Sequence, residues 1–388
     1  MTETWDVIVI GGGMLGLSTS YRLSQMGAKT LLLQAGPIGG GTSAANAGRA
    51  QVNEGHLDPL NIRIIREGLA RLTTLEEELG VPFEWRRNGY LCLIKTEKLW
   101  NDWVERSKIL SDGGIPTQVI DLKQLKELEP HLNLTGLLGA AFTLEGLLNP
   151  FRFCWAFANA ARRCGAELLP YTPVSGFELD KERIVATRSG SYRYKAKLFA
   201  IMCGAWTPMV TQMAGVEVPI RHTHAEAFIL EPTRMVIHNT IGLADFYEII
   251  HGKPKAVAIG IGPQSHDTLL VTESVTQTDE LHTRNSAWGI SGIASELLKI
   301  YPELGNIRVI RAWGAPTSFT PDEEPIIGWI PERENLYVAS SLVETITAVP
   351  VISEWIAKMI LGYEPPVSLE LFSPERFLTK TKQTESYS

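Results

Sequence analysis

Cysteine is scarce and dispersed: Cys92, Cys154, Cys164 and Cys203 are the only four in 388 residues. None forms a CxxC pair, so the spacing offers no zinc or iron–sulfur site and no disulfide framework. Buried thiols in a reducing interior are expected instead. An excess of positive charge is missing as well. Lys and Arg number 36 against 43 Asp and Glu, a net charge of −7, without the basic face that nucleic-acid binding demands. Long apolar runs are also lacking. "VIVIGGGMLGL" is broken by a run of three glycines, is too short to span a bilayer and follows no basic leader. The expectation is a cytoplasmic protein with no transmembrane segment or signal peptide, attached to a membrane, if at all, through a partner. No internal repeat is visible.

Glycine, by contrast, is plentiful at 34 residues, beside 44% hydrophobic and 20% charged residues, the make-up of a soluble enzyme. The length admits two domains, or one large domain with an inserted lobe. Residues 5–10 are apolar and β-branched, as in a strand buried on both faces. A glycine turn at 11–13, a helix to about Met26 stopped by Gly27, and a strand at 29–33 follow. "REGLARLTTLEEELGV" has helical periodicity and ends at Gly80. "WRRNGYLCLIKT" reads as a hairpin or strand and 97–112 as a helix. The stretch 139–169 reads as strand, turn, helix, strand, and "AKLFAIMCGAWTPMV" as a buried strand running through a Gly turn into a helix. Strand-like runs between 224 and 318 include "HAEAFIL", "DFYEII", "AVAIGI", "LLVTE" and "IRVIRAWGAP", interrupted by a helix at 290–300. "NLYVASS" predicts a last strand, Pro350 the start of a last helix, and "TKTKQTESYS" a mobile tail.

Strand, glycine turn, helix and strand within some 30 residues give the GxGxxG of 11–16 its value as a dinucleotide signal. Gly11 permits the sharp turn, Gly13 lets backbone approach a diphosphate, and Gly16 lets helix and strand pack closely. Met14 and Leu15 continue the turn into a helix whose N-terminal N–H groups favour anions. Gln34, followed by Ala35, stands where a carboxylate would accept from both ribose hydroxyls. An uncharged amide there costs about 1–2 kcal/mol, so binding weakens about tenfold and survives. The alternative for Gln34 is a strand-end side chain facing water.

The glycine turn, the strand end and then "GPIGGGTSAANAG" resemble the FAD-binding segment of the D-amino-acid-oxidase-like flavoproteins. That family includes glycine and sarcosine oxidases, the flavin subunits of proline, hydroxyproline and opine dehydrogenases, and hydrogen cyanide synthase. "GLLNPFRFCWAFANAARRCGAEL", "FAIMCGAWTPMV" and "TPDEEPIIGWIPERENLYVAS" are similar to its later segments, so the resemblance runs from residue 6 to 361. It implies an α/β (mixed α+β) fold: a Rossmann-like FAD-binding domain built from 1–84, 145–220 and 319–366, an inserted β-rich substrate lobe from 85–144 and 221–318, and a tail at 367–388. It implies that Thr42, Ser43, Asn46, Ala47 and Gly48 line the diphosphate and flavin, and that Val174 meets adenine. Cys203, Gly204 and Trp206 would lie by the cofactor, with Thr345, Ile346 and Thr347 at the flavin loop. Helix capping is the alternative for Ser43 and Asn46, and a core role for Trp206.

Three departures bear on function. Gln34 is the first. Thr317 in "RAWGAPTSFTPDEEP" stands where many amino-acid oxidases grip the substrate carboxylate with an arginine fork, which a hydroxyl cannot imitate. Thr345 replaces a loop glycine, with Glu344 bringing a carboxylate beside it, so that loop must differ in shape. Substitute anchors are Arg311, which shares a strand face with Trp313 and Thr317, then Arg221, His222 and His224, and Tyr247. Arg49 is placed to face the flavin and favour its reduced anion; for each of these a structural role is the alternative. The resemblance implies hydride transfer from an amine-bearing carbon of an amino or imino acid to FAD. The FAD would be non-covalent, since no cysteine follows Cys203. It also implies a partner subunit to carry electrons onward. A degenerate, non-catalytic flavoprotein subunit and a self-sufficient amine oxidase releasing peroxide are the alternatives.

Overall fold

The computed structural model describes residues 4–52 and 55–377, so the tail beginning at Thr379 lies outside the described residues. Strand β1 (Thr4–Ile10), helix α1 (Met14–Gln25) and strand β2 (Thr30–Leu33) form the expected opening unit. Val7, Ile8 and Val9 are wholly buried because both faces of β1 are covered. Val7 and Val9 join a core with Leu17, Phe157 and Ile352, whereas Ile8 and Ile10 join one with Phe199, Val210 and Ile326. Strand β1 is flanked by two parallel neighbours, Tyr192–Ile201 on one side and β2 on the other. Strands Leu336–Ser340 and Glu167–Leu169 extend this parallel sheet outward, and Ile326–Trp329 closes one edge antiparallel. One mostly parallel sheet is thus assembled from three separated stretches of chain.

A second, eight-stranded sheet runs in the spatial order 309–319, 221–230, 269–277, 255–263, 240–243, 90–94, 139–143 and 117–121. It is antiparallel except where Thr240–Leu243 lies parallel to Tyr90–Ile94. Helix Glu97–Asp112 coincides with the expected element, and its N-cap Thr96 accepts from Leu99 N at 3.2 Å. Helix Pro59–Leu79 ends at Gly80 in the left-handed conformation, as the sequence predicts.

Two expectations are corrected. "DFYEII" is the helix Phe246–His251, because Phe246, Ile249 and Ile250 recur at helical spacing and pack on one apolar cluster. The last helix is Thr345–Ile360, with Pro350 inside it instead of at its start. Only one intrahelical bond is lost to the proline, and the Pro350 carbonyl gains a bond from Arg71 Nη1 at 3.0 Å. Residues 367–377 are packed: Phe372 is fully buried, and Arg376 forks onto Asp322 at 2.9 and 3.1 Å. No helix among the described residues is long and apolar enough to cross a membrane.

Behind the second sheet, His224 is buried against His282, with ring centroids 4.0 Å apart. Burial, then the second imidazole, holds His224 below its ordinary 6.5. The unfolded chain therefore binds that proton more readily than the folded one, so stability falls as pH drops below the unfolded value. Thermal unfolding is expected at lower temperature at about pH 5.5 than at about pH 7.5, with a shallower pH dependence in His224→Gln. The glycine turn supplies a second check. A Cβ on Gly16 would stand 1.9 Å from Gly11 O, so Gly16→Ala should destabilise by about 1–3 kcal/mol in chemical denaturation.

Candidate active site

A cavity of about 770 Å³ is lined by both sheets. It opens at the carboxyl ends of the parallel strands, where open α/β sheets bind ligands. Gly11 leaves β1 at φ +112°, and a Cβ there would lie 2.3 Å from Met202 O. The N–H of Met14, at the start of α1, donates to Ser43 Oγ at 3.0 Å. Gln34 does not turn to water. Its Oε1 accepts from Gly12 N at 2.7 Å and its Nε2 donates to Pro37 O at 3.3 Å, closing the strand end onto the glycine turn.

The segment carrying Thr42–Ala47 is clamped to the second sheet. Thr42 Oγ1 donates to Pro316 O at 2.5 Å, and Trp313 Nε1 donates to Ala45 O at 3.0 Å. Asn46 Oδ1 accepts from Gly48 N at 2.7 Å, a local turn bond, so both Ser43 and Asn46 satisfy backbone donors while lining the cavity. Gly48 does not line it: a Cβ there would meet Leu148 O at 2.1 Å, so the glycine serves close packing. Gly16 likewise lies off the wall, between α1 and β1. Val174, Cys203, Gly204 and Trp206 line the cavity beside Gly11, Gly13, Leu15 and Ala35. Burial pushes the Cys203 thiol up to about 12, and its sulfur donates to Ile10 O at 3.2 Å.

At the loop before the last helix, the left-handed conformation falls on Ser341 (φ 59°) and Glu344 (φ 52°), not on Thr345. Thr345 is the first helical residue, so the β-branched side chain escapes the strained position by one step. Thr345 lines the cavity, and the helix start brings its partial positive charge to the wall. Ile346 and Thr347 are corrected: both side chains turn into the protein, Ile346 into the core and Thr347 Oγ1 onto Gln51 O at 2.6 Å. Glu344, buried, accepts from Gly55 N at 3.2 Å.

From the second sheet, Trp313, Ala315 and Thr317 face the cavity in alternation, and Thr317 Oγ1 lies 2.7 Å from Thr223 Oγ1. Arg311 shares their face but not their place. It is exposed at the rim, its guanidinium 5.9 Å from the Trp313 ring, and does not line the cavity. Arg221, His222 and His224 do not line it either; alternation sends Thr223, Ala225 and Ala227 inward instead. Tyr247 lines the cavity and donates to Glu323 Oε2 at 2.5 Å.

Arg49 lines the cavity but forks onto the buried Glu145, Nε at 2.6 Å and Nη2 at 3.1 Å, with its guanidinium 3.4 Å from the centre of the Tyr90 ring. The positive environment expected from Arg49 is therefore corrected: its charge arrives with a counter-charge. Glu145, Glu323 and Trp313's bond to Ala45 were missed.

These residues fit an extended dinucleotide. Glycines whose Cβ atoms would clash, a helix N-terminus and a neutral strand-end amide lie at one end, and an apolar wall with hydroxyls at the other. A family model described as DAO, FAD dependent oxidoreductase, matches residues 6–359. Glycine oxidase of Bacillus licheniformis is 24% identical over 385 residues, 97% of this chain and 98% of that protein. Sarcosine oxidase subunit beta of Rhodobacter capsulatus is 24% identical over 337 residues, 85% of this chain and 78% of that one. Among solved structures, L-proline dehydrogenase from P. horikoshii superposes with a TM-score of 0.87 at 24% identity, covering 98% of this chain and 99% of that chain, which shows the fold. A carboxylate at the strand end would keep the bond from Gly12 and add charge. Gln34→Glu should tighten FAD about tenfold in a fluorescence titration, and Gln34→Leu should weaken it.

Proposed function

The chain belongs to the DAO family of FAD-dependent oxidoreductases, and on that premise we propose that it oxidises the C–N bond of a small amino- or imino-acid-type donor, with FAD held non-covalently along the cavity. The observation that carries this reading is continuity. One cavity joins the glycine turn of β1 and α1 to the wall that holds Thr317 and Tyr247. We assign the diphosphate to Gly11–Leu15 and Ser43, the adenosine to Gln34, Ala35 and Val174, and the ring end to Asn46, Ala47 and Thr345. The division into a cofactor domain (1–84, 145–220, 319–366) and a substrate lobe (85–144, 221–318) follows from that assignment.

Bound FAD supplies a two-electron acceptor. The chain's own task is to hold the donor carbon close, keep water out and let the amine meet it unprotonated. Ala225, Ala227, Ile261 and Ala315 make the wall apolar, and Tyr247 and Thr317 hold polar atoms at its edge. As the carbon loses hydride and the nitrogen its proton, the product is an imine. The start of helix Thr345–Ile360 favours the negative charge that accumulates beside it. The four free cysteines, and a Cys203 thiol raised to about 12, support a non-covalent cofactor in a reducing compartment.

A flavin subunit of a hetero-oligomer is the assembly this reading favours, in line with the sarcosine oxidase β-subunit relative. Phe151 and Trp155, 51% and 55% exposed one turn apart on helix Pro150–Arg163, suit burial against a partner. The second reading, a flavoprotein subunit without turnover, is favoured by the neutralisation of Arg49 by Glu145. An anaerobic absorption spectrum decides between them. Yellow protein bleached by a CH–NH donor, with little peroxide from the isolated chain in air, is the expected result. Protein that holds FAD but stays oxidised before a broad panel of such donors would establish the second reading.

A further inference from the structure

Resting on the oxidoreductase reading, we propose that the donor carries an extended apolar substituent, received by a trough of small side chains that crosses the second sheet. Ala227 is the residue that sets the depth of this trough and so the length of substituent accepted.

The first observation is register. Across four neighbouring strands the ladder places Trp313 opposite Ala227, Ala227 opposite Thr272, and Thr272 opposite Gly260. All four line the cavity, as side chains opposite one another on one sheet face do. The row therefore steps down from an indole to an alanine, a threonine and a glycine. From Ala227 to Gly260 it crosses two strand spacings, about 10 Å, long enough for several methylene groups. Ala225 and Ala315, paired in the next inward-facing row, widen the near end.

The second observation is that this row borders the cavity. Small residues in a sheet often make room for a covering element, and Ala256 and Ala258 do so here, packing with Ile250 of helix Phe246–His251. Ala227 and Thr272 face the cavity instead. A Cβ on Gly260 would stand 2.5 Å from Thr272 Oγ1 and 3.8 Å from Phe246 Cε2, so the glycine lets both close over the far end. The Thr272 hydroxyl also donates to Gly260 O at 3.5 Å.

The third observation is what surrounds the row. Leu270 and Val275, on the strand that carries Thr272, form its sides and Phe246 its end, and all three line the cavity. Glu273 lines it too, at the bulge beside Thr272, and is not a free charge. The near end is tied to the ring end of the cavity, since Trp313 Nε1 donates to Ala45 O, next to Asn46. A donor whose C–N bond lies by Asn46 and Thr345 can thus run its substituent past Trp313, over Ala227 and toward Phe246. Each methylene fully buried there favours binding about fourfold.

The test uses the FAD-loaded full chain and ligands that share one head group. Acetate, butanoate and hexanoate have no amine to oxidise; each is titrated and followed by flavin difference absorbance, with 6-aminohexanoate as the charged-tail control. Affinity should rise about twofold to fourfold per added methylene, and 6-aminohexanoate should bind about tenfold more weakly than hexanoate. In anaerobic flavin reduction, norleucine or N-butylglycine should exceed alanine or N-methylglycine about tenfold in kcat/KM. Ala227→Leu, which fills the trough, should remove most of the gain from butanoate to hexanoate. A flat or falling series overturns the proposal, as do three acids that leave the spectrum unchanged, or a 6-aminohexanoate that binds as tightly as hexanoate. A rising series that Ala227→Leu leaves intact overturns the placement of the substituent on Ala227. The series on unaltered protein decides even where the variant fails to fold. FAD-loaded protein reduced by no CH–NH donor would instead sink the oxidoreductase reading, and the three acids would still judge the trough.

Discussion

Helix α1 can lie against β1 only because Gly16 carries no side chain; a Cβ would stand 1.9 Å from Gly11 O. That approach has consequences along the whole cavity. It brings the first N–H groups of α1 to the carboxyl ends of the parallel strands, where Gly11 at φ +112° folds the chain back over Met202. It also places Gly12 within reach of Gln34, and Met14 within reach of Ser43. Ser43 in turn belongs to the segment that Thr42 and Ala45 tie to the second sheet. The spacing between the glycine turn and the facing wall of the second sheet thus rests on a chain of short contacts that starts at a missing methyl group.

Charge in the cavity follows a second constraint. A guanidinium stacked on Tyr90 and largely withdrawn from water would be costly alone, and Glu145 resolves this with a two-bond fork. Glu145 also accepts from Val52 N at 3.1 Å, so its oxygens are well supplied with donors. The pair stabilises the wall at the expense of its polarity. The start of the helix at Thr345 brings a partial positive charge to the wall, beside the carboxylate of its own N-cap residue, Glu344.

Much of this was legible in the sequence because it follows from period and spacing. The alternation that placed Trp313 and Thr317 on one face, the glycine turn, and the limits of the helix at 97–112 all come from local patterns. What failed depends on partners distant in sequence. The short apolar run "DFYEII" could be read with either period until its packing on Ala256 and Val275 decided for helix. Pro350 suggests a helix start by itself, yet Arg71, some 280 residues away in the chain (|i−j| = 279), bonds its carbonyl. The role of Arg49 could not be read without Glu145, which is separated from it by 96 positions. Alternation was applied to the strand 221–230 without its phase, and the phase sends Thr223 to the cavity in place of His222 and His224.

The two strained glutamates show how this chain departs from its family without leaving the fold. Glu323 and Glu344 both adopt left-handed backbone, at φ 62° and 52°. The backbone path there is dictated by the sheets it connects, since Ile326–Trp329 and Leu336–Ser340 pair in a fixed register. The chain keeps that path while exchanging the residue, at a cost of about 1–2 kcal/mol for each side chain. In each case the carboxylate recovers part of that cost through a specific bond, Glu344 from Gly55 N and Glu323 from the Tyr247 phenol. A glycine would hold the loop equally well but could make neither bond. The backbone at these two sites therefore follows the fold, whereas their side chains add bonds that a glycine could not make.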